Sequence, residues 1–213
     1  MASKVSIANR ALTKLGADRV LLLSDDTQQA RVMNSMFDDV RDAELRRFDW
    51  NFAIKRAALP ALAAAPAWGY QFQYPLPSDY LRLVQVGEIY VRSARKGAAA
   101  WAVESGMILT DQSAPLRIRY VHRTDNPGLY DPLFVEVLAC KLALEACEPL
   151  TQSASKKQNA MEEYRFAINE AVRQDAIENP PDDLPLGSWL DSRDDGSRFA
   201  YSSEGWAALP SGV

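Results

Sequence analysis

The sequence predicts a mainly α protein of the α+β type: a four-helix bundle with an inserted small antiparallel β domain and an extended C-terminal tail. Apolar residues recur at helical spacing before residue 50 and again after residue 130. Apolar and polar residues alternate between about 70 and 121, as in half-buried strands. From residue 180 onwards Pro, Gly, Ser and Asp replace any periodic pattern. The predicted parts are helices one and two (1–53), the β domain (54–127), helices three and four (128–179) and the tail (180–213).

The first two helices are predicted at residues 3–15 and 25–48. Ser3 caps the first helix, and Gly16 ends it. Asp25 or Asp26 can cap the second helix, which has one apolar stripe. Its other side is polar and carries Arg31, Asp38, Asp42 and Arg46. The apolar connector between the two helices, residues 20–23, is expected to lie across the bundle.

Alternating aromatic residues follow the second helix. Phe48, Trp50 and Phe52 have a period of two, which is typical of a chain that leaves a helix for an extended path. We predict that Trp50 and Phe52 are buried at the joint between the bundle and the β domain. A role as a core anchor is favoured over a catalytic role, because no nucleophile or base is poised in this segment.

Six short strands are predicted in the middle of the chain, after an Ala/Pro-rich linker at residues 59–68. They lie near residues 70–74, 80–86, 89–91, 101–103, 107–109 and 116–121. Strands of this length and number predict a small antiparallel sheet or an open barrel. Asp131 and Pro132 then begin a third helix, which Pro149 is expected to end. A fourth helix is predicted from about 155 to 177.

Composition limits the classes of function. The net charge of -4 argues against a protein that wraps nucleic acid through clustered Lys and Arg. No run of 18 apolar residues and no signal segment is evident, so we expect the protein in a cytoplasm or in a particle assembled there. One histidine and two cysteines give no strong zinc pattern, and the common nucleotide-binding and hydrolase motifs are missing. We therefore predict no catalytic residue, no metal site and no cofactor.

Four aromatic residues stand in the tail: Trp189, Phe199, Tyr201 and Trp206. A purely disordered tail is usually poor in aromatic residues. Aromatic residues spread along a segment without periodicity suggest docking onto another surface. The alternative, a tail that merely covers its own domain, stays open.

Four segments occur in a recognisable order. They are residues 7–12 (IANRAL) with Leu15-Gly16, the helix from 26 to 47 running into 50–53 (WNFA), residues 76–83 (LPSDYLRL), and the helix from 131 to 148 followed by a polar fourth helix. In this order and spacing they resemble the head-to-tail adaptor proteins of tailed bacteriophages, of the tail tubular protein A type of short-tailed phages. The resemblance covers residues 4–178. No single motif in it is catalytic or highly specific, and the tail does not carry it.

The resemblance implies a structural virion protein rather than an enzyme. Members form a ring, commonly of twelve subunits, that binds beneath the portal protein, extends the DNA channel and offers a platform for the tail nozzle protein. They look monomeric until the portal templates them. DNA would pass through the channel without specific binding, no membrane would be involved, and the location would be the neck or tail of a virion assembled in the host cytoplasm. The tail aromatics would dock onto the portal or a neighbouring subunit.

Two other functions remain open at this point. One is a cell-wall glycan hydrolase in a phage tail, since lytic activity has been attributed to some relatives and distant carboxylates can meet in a fold. The other is a regulatory or DNA-binding helical module of a host, against which the missing basic patch argues.

Overall fold

Helices stand at both ends of the described chain, and strands lie between them. The computed structural model describes residues 2–91 and 101–178. The helices are α1 (Lys4–Leu15), α2 (Gln28–Arg47), α3 (Pro132–Thr151) and α4 (Ala154–Glu178). The strands are β1 (Ile54–Leu59), β2 (Phe72–Pro75), β3 (Tyr80–Val86), β4 (Ile89–Tyr90), β5 (Trp101–Glu104), β6 (Met107–Thr110) and β7 (Leu116–His122). Short 3-10 helices at Asn51–Ala53 and Pro127–Leu129 join the two kinds of element.

The predicted fold class, a mainly α bundle with one small β insert, is wrong. The described residues are about 49% helix and 20% strand, and they form four α-helices and two antiparallel sheets. Sheet A has the strand order β1-β7-β3-β4, and sheet B has the order β2-β6-β5. The strands divide in this way because β2 pairs with β6 and not with β3, its neighbour in sequence. The predicted tail, 180–213, lies outside the described residues.

Sheet A is a middle layer between the helices and sheet B. Leu81, Val84 and Val121 contribute to the core that the four helices share. The opposite side of the same sheet joins sheet B in a second core, which includes Leu83 and Tyr120. Irregularities in the pairing of β3 with β7 let β3 supply both cores. The β region is therefore not a separate insert, because one of its faces completes the helical core.

β1 is an edge strand that the sequence pattern does not reveal. All six of its residues pair with β7, from Ile54 opposite Val121 to Leu59 opposite Leu116. Its sequence lacks alternation, because Lys55 and Arg56 are adjacent and two alanines follow. Only Leu59 is fully buried. The strand therefore depends on its partner more than on its own pattern.

The ends of α1 follow the sequence signals, whereas the start of α2 does not. Ser3 and Ser6 form a capping box, and Gly16 ends α1 with φ of 66°. α2 is capped by Thr27, whose hydroxyl accepts a hydrogen bond from the Ala30 amide at 3.2 Å. The prediction that Asp25 or Asp26 caps α2 is therefore wrong. Asp25 instead accepts hydrogen bonds inside the preceding loop.

α3 lies at the centre of the helical layer. Asp131 caps it through the Leu133 and Phe134 amides at 2.7 and 3.3 Å. The predicted end at Pro149 is wrong, because the helix continues to Thr151 and ends at Gln152, which adopts a left-handed conformation with φ of 50°. The Pro149 carbonyl accepts a hydrogen bond from the Gln28 side chain at 3.1 Å, which joins this end of α3 to the start of α2.

Candidate interaction surfaces

The chain between α2 and β1 holds the predicted joint. Trp50 is 1% exposed, and its Nε1 donates to the Glu44 carbonyl at 2.9 Å. The Trp50 ring meets Phe134 edge-on, with 5.1 Å between the centroids. Phe52 is half-buried, and its centroid lies 5.0 Å from that of Phe134 and 5.8 Å from that of Tyr130. These rings fix the path by which the chain leaves the helices for sheet A.

α4 holds the same joint from the other side. Asp175 accepts a hydrogen bond from the Asn51 amide at 3.0 Å, and its backbone carbonyl accepts one from the Asn51 side chain at 2.8 Å. Burial raises the pKa of the Asp175 carboxyl, while the Asn51 amide opposes that change. The last turns of α4 are therefore anchored beside the start of β1.

Arg41 is a buried cation on α2. It is 3% exposed and forms ion pairs with Asp38 at 2.9 Å, Asp42 at 2.8 Å and Asp125 at 3.0 Å. Asp42 also pairs with Arg123 at 2.7 Å. Because Arg123 and Asp125 directly follow β7, this network ties the middle of α2 to the chain that leaves sheet A. Its role is structural, since each charge is already matched.

Glu44 is a buried carboxylate one helical turn further along α2. It is 2% exposed, and the Tyr164 hydroxyl lies 2.9 and 3.0 Å from its two oxygens. The Arg47 guanidinium donates to the same hydroxyl. Burial raises the pKa of the Glu44 carboxyl, and the hydrogen bond from Tyr164 opposes the rise. A raised pKa can mark a general acid, but this carboxyl is enclosed between α2 and α4, where a polysaccharide cannot reach it.

The loop between α1 and α2 presents two leucines to solvent. Leu21 is 88% exposed and Leu22 is 57% exposed. Asn9 exchanges two hydrogen bonds of 2.8 Å with the backbone of Val20. The Asp25 carboxylate accepts from the Leu21 and Leu22 amides at 3.0 and 2.9 Å. The prediction that this connector lies across the bundle holds for Val20 and Leu23, which pack against the helical core, and fails for Leu21 and Leu22.

Two large apolar side chains on α4 are also exposed to solvent. Phe166 is 71% exposed and Ile177 is 65% exposed. Phe166 borders a cleft of about 340 Å³ whose lining includes Leu133 and Cys140. Burial raises the pKa of the Cys140 thiol to about 11, so this thiol is protonated at neutral pH.

The exposed apolar side chains lie on different elements. The loop with the two leucines is held to the middle of α1, where Val20 is hydrogen-bonded to Asn9. Ile177 lies in the last turn of α4. Phe166 is eleven residues earlier on the same helix, about 16.5 Å along its axis.

The remaining predicted site residues were assigned to the tail. Trp189, Phe199, Tyr201 and Trp206 lie outside the described residues. Within residues 2–91 and 101–178, no group of three or more His, Cys, Asp or Glu side chains could hold a metal ion. Among the helices of the described chain, none is long and apolar enough to cross a membrane.

Three features of these surfaces escape sequence reasoning. Arg41 and Glu44 sit in a helix whose charged residues were assigned to an exposed face, and their burial depends on partners more than eighty residues away. Leu21 points outwards because Asn9 is hydrogen-bonded to the backbone of Val20 and the Asp25 carboxylate accepts from the Leu21 amide. Asx-type loop bonding by these two residues was the one signal in the sequence that could have indicated an exposed loop.

Comparison with known proteins adds no family assignment. No protein-family model matches the chain, and a search of curated proteins gave no match.

Proposed function

We propose that this chain is a head-to-tail adaptor of a tailed bacteriophage. In this role it forms a ring beneath the portal protein, extends the DNA channel and provides the platform on which the tail nozzle protein attaches. The proposal rests on the resemblance over residues 4–178 and on the kind of surface that the described residues present.

The observation that carries the proposal is an ordered loop with two adjacent exposed leucines. Leu21 is 88% exposed and Leu22 is 57% exposed, and hydrogen bonds with Asn9 and Asp25 hold the loop. A loop that is fixed in advance loses little conformational entropy when it docks. A closed ring is built from heterologous contacts, in which one patch of a subunit meets a different patch of the next, and this loop is our candidate for one of those patches.

The charge of the chain also suits this role. A net charge of -4 would let DNA slide through a ring without adhering strongly to it. Arg41 is held in ion pairs and Glu44 is enclosed beside Tyr164, so neither position offers an acid that a substrate can reach.

The test is association with a portal ring, measured by size-exclusion chromatography with mass determination. We expect the wild-type chain to be a monomer alone and to join the portal as a ring. A Leu21→Ser/Leu22→Ser variant should stay monomeric and lose portal association at least tenfold. Leu129→Ser is the matched control, because Leu129 is 61% exposed and lies outside the loop with Leu21 and Leu22.

Two results would count against the adaptor. One is a wild-type chain that is folded and still never joins a portal. The other is clearing of cell-wall material in a turbidity assay on the same preparations, which would favour the glycan hydrolase.

A further inference from the structure

One face of sheet A carries a cluster of arginines. Arg56 on β1 lies directly opposite Arg119 on β7. Arg117 lies two residues before Arg119 and therefore on the same face of the sheet. We call Arg56, Arg117 and Arg119 the arginine face. Ile54 and Val121 form the next pair on this face, and Val121 packs into the helical core. The arginine face therefore lies beside the part of sheet A that the helices cover.

The three cations of the arginine face meet no carboxylate in the part of the chain that the structure describes. Across residues 2–91 and 101–178, no carboxylate forms an ion pair with any of them. Arg119 donates to the Tyr90 hydroxyl at 2.9 Å and lies 3.5 Å from the Gln85 side-chain oxygen, both neutral groups. Its Nε is buried and meets no acceptor. Like charges directly opposite each other destabilise a sheet, so a bound anion would relieve the repulsion between Arg56 and Arg119.

The face is also open to a ligand. Arg56 and Arg117 are exposed, and Arg119 is half-buried. Ala58 stands opposite Arg117 and adds little bulk. The arginines border a depression of about 360 Å³, which Gln85 and Gly87 also line. The face is rigid because its backbone is fixed by the pairing of three strands.

We propose that the arginine face binds phosphate groups of a duplex DNA backbone. The planar guanidinium group matches a phosphate with two parallel hydrogen bonds. Two arginines that are two residues apart on one strand are separated by about 6.6 Å. This is close to twice the ~3.4 Å by which successive phosphates of one DNA strand are spaced along the helix axis.

DNA is favoured over an acidic protein partner because it follows from the proposed function, on which this inference rests. An adaptor in the neck meets the packaged DNA. Three phosphate contacts give weak binding that is independent of base sequence, which allows the DNA to move past.

The experiment is a fluorescence anisotropy titration of a labelled 20-base-pair duplex with the full chain. With three phosphate contacts, the slope of log K against log salt concentration should be about -2.7, which is about a 40-fold weakening between 50 and 200 mM salt. Each single change, Arg56→Gln, Arg117→Gln or Arg119→Gln, should reduce the slope by about 1. The triple variant should lose binding.

A matched control removes three exposed arginines elsewhere: Arg31, Arg165 and Arg173, each changed to Gln. It has the same net charge as the triple variant and should keep the wild-type slope. Circular dichroism verifies folding of all variants, and relief of the Arg56–Arg119 repulsion should leave the melting temperature of Arg56→Gln equal or higher.

The proposal is overturned if the control loses as much binding as the triple variant, or if the wild type does not bind the duplex. The proposal is also overturned if the wild type binds polyglutamate more tightly than DNA and the triple variant loses that binding. The arginine face would then be a site for an acidic protein. The titration needs no portal. If the chain does not bind DNA, the adaptor proposal still depends on the portal-association test alone. If the chain does not join the portal, the measured DNA affinity is unaffected.

Discussion

Trp50 and Glu44 lie in contact at the same joint, yet only one of them could be identified from the sequence. Trp50 stands in an alternating aromatic run, and a large aromatic residue in such a run belongs to a core. Glu44 reads as a polar helix residue. Its burial depends on Tyr164 from α4, 120 residues further along, and nothing local indicates that contact.

Removal of Trp50 should be strongly destabilising. Trp50→Ala deletes a fully buried indole and its hydrogen bond to the Glu44 carbonyl, so the free energy of unfolding should fall by ~3–5 kcal/mol. Urea denaturation measures this change. Trp68, which is 86% exposed, is the control, and Trp68→Ala should stay within about 0.5 kcal/mol of wild type. Equal stabilities for the two variants would contradict the burial argument.

Replacement of Glu44 should change how stability depends on pH. The pKa of Glu44 is raised in the folded state, so ionisation costs stability as pH rises from the unfolded value through the folded one. Glu44→Gln keeps an acceptor for Tyr164 and removes that cost. Its melting temperature should equal that of wild type well below pH 4.5 and exceed it at pH 7.

The control for this pH profile is Glu104→Gln, on the exposed β5–β6 hairpin. Its difference from wild type should not grow between pH 4.5 and 7. If Glu44→Gln instead becomes less stable than wild type as pH rises, Arg47 and Lys141 stabilise the carboxylate more than burial destabilises it.

At the scale of elements, alternation identifies strands more reliably than the sequence identifies edge strands or helix ends. β3 and β7 could be predicted because Leu, Val, Ile and Tyr alternate in them with polar residues. β1 could not, because an edge strand paired on one side needs no alternation of its own. The end of α3 was misplaced because Pro149 was treated as a stop, although a proline in a last turn removes only one hydrogen bond of the helix.

The start of α2 gives a prediction at this scale. Thr27→Ala removes the side-chain acceptor for the Ala30 amide and should lower the free energy of unfolding by about 1 kcal/mol. Asp26→Ala should have almost no effect, because Asp26 is 94% exposed at its side chain and pairs only with Arg31. Thermal unfolding of both variants measures the difference. The reverse order of effects would place the cap at Asp26.

At the scale of the whole molecule, the sequence pattern could not show that sheet A completes the helical core. Periodicity assigns an apolar face to each strand but not the layer that this face contacts. The same limit applies to the arginine face, because Arg56 and Arg119 are 63 residues apart and meet only through the unpredicted pairing of β1 with β7.

Residues 1–178 form a compact unit, which leads to a prediction about the tail. A chain truncated after Asn179 should unfold at nearly the same temperature as the full chain, because both described cores lie within residues 7–171. It should fail to join the portal if Trp189, Phe199, Tyr201 and Trp206 anchor the tail there. Differential scanning calorimetry and portal association measure the two effects. If the truncated chain is unfolded at temperatures at which the full chain is stable, the tail is part of the core of residues 1–178 and the docking prediction fails.

The adaptor proposal is tested most directly by negative-stain electron microscopy of the chain mixed with its portal protein. Without the portal we expect single particles. With the portal we expect a second ring stacked coaxially on one of its faces, with an open central channel. Portal rings that stay bare at saturating concentrations of folded chain would contradict it.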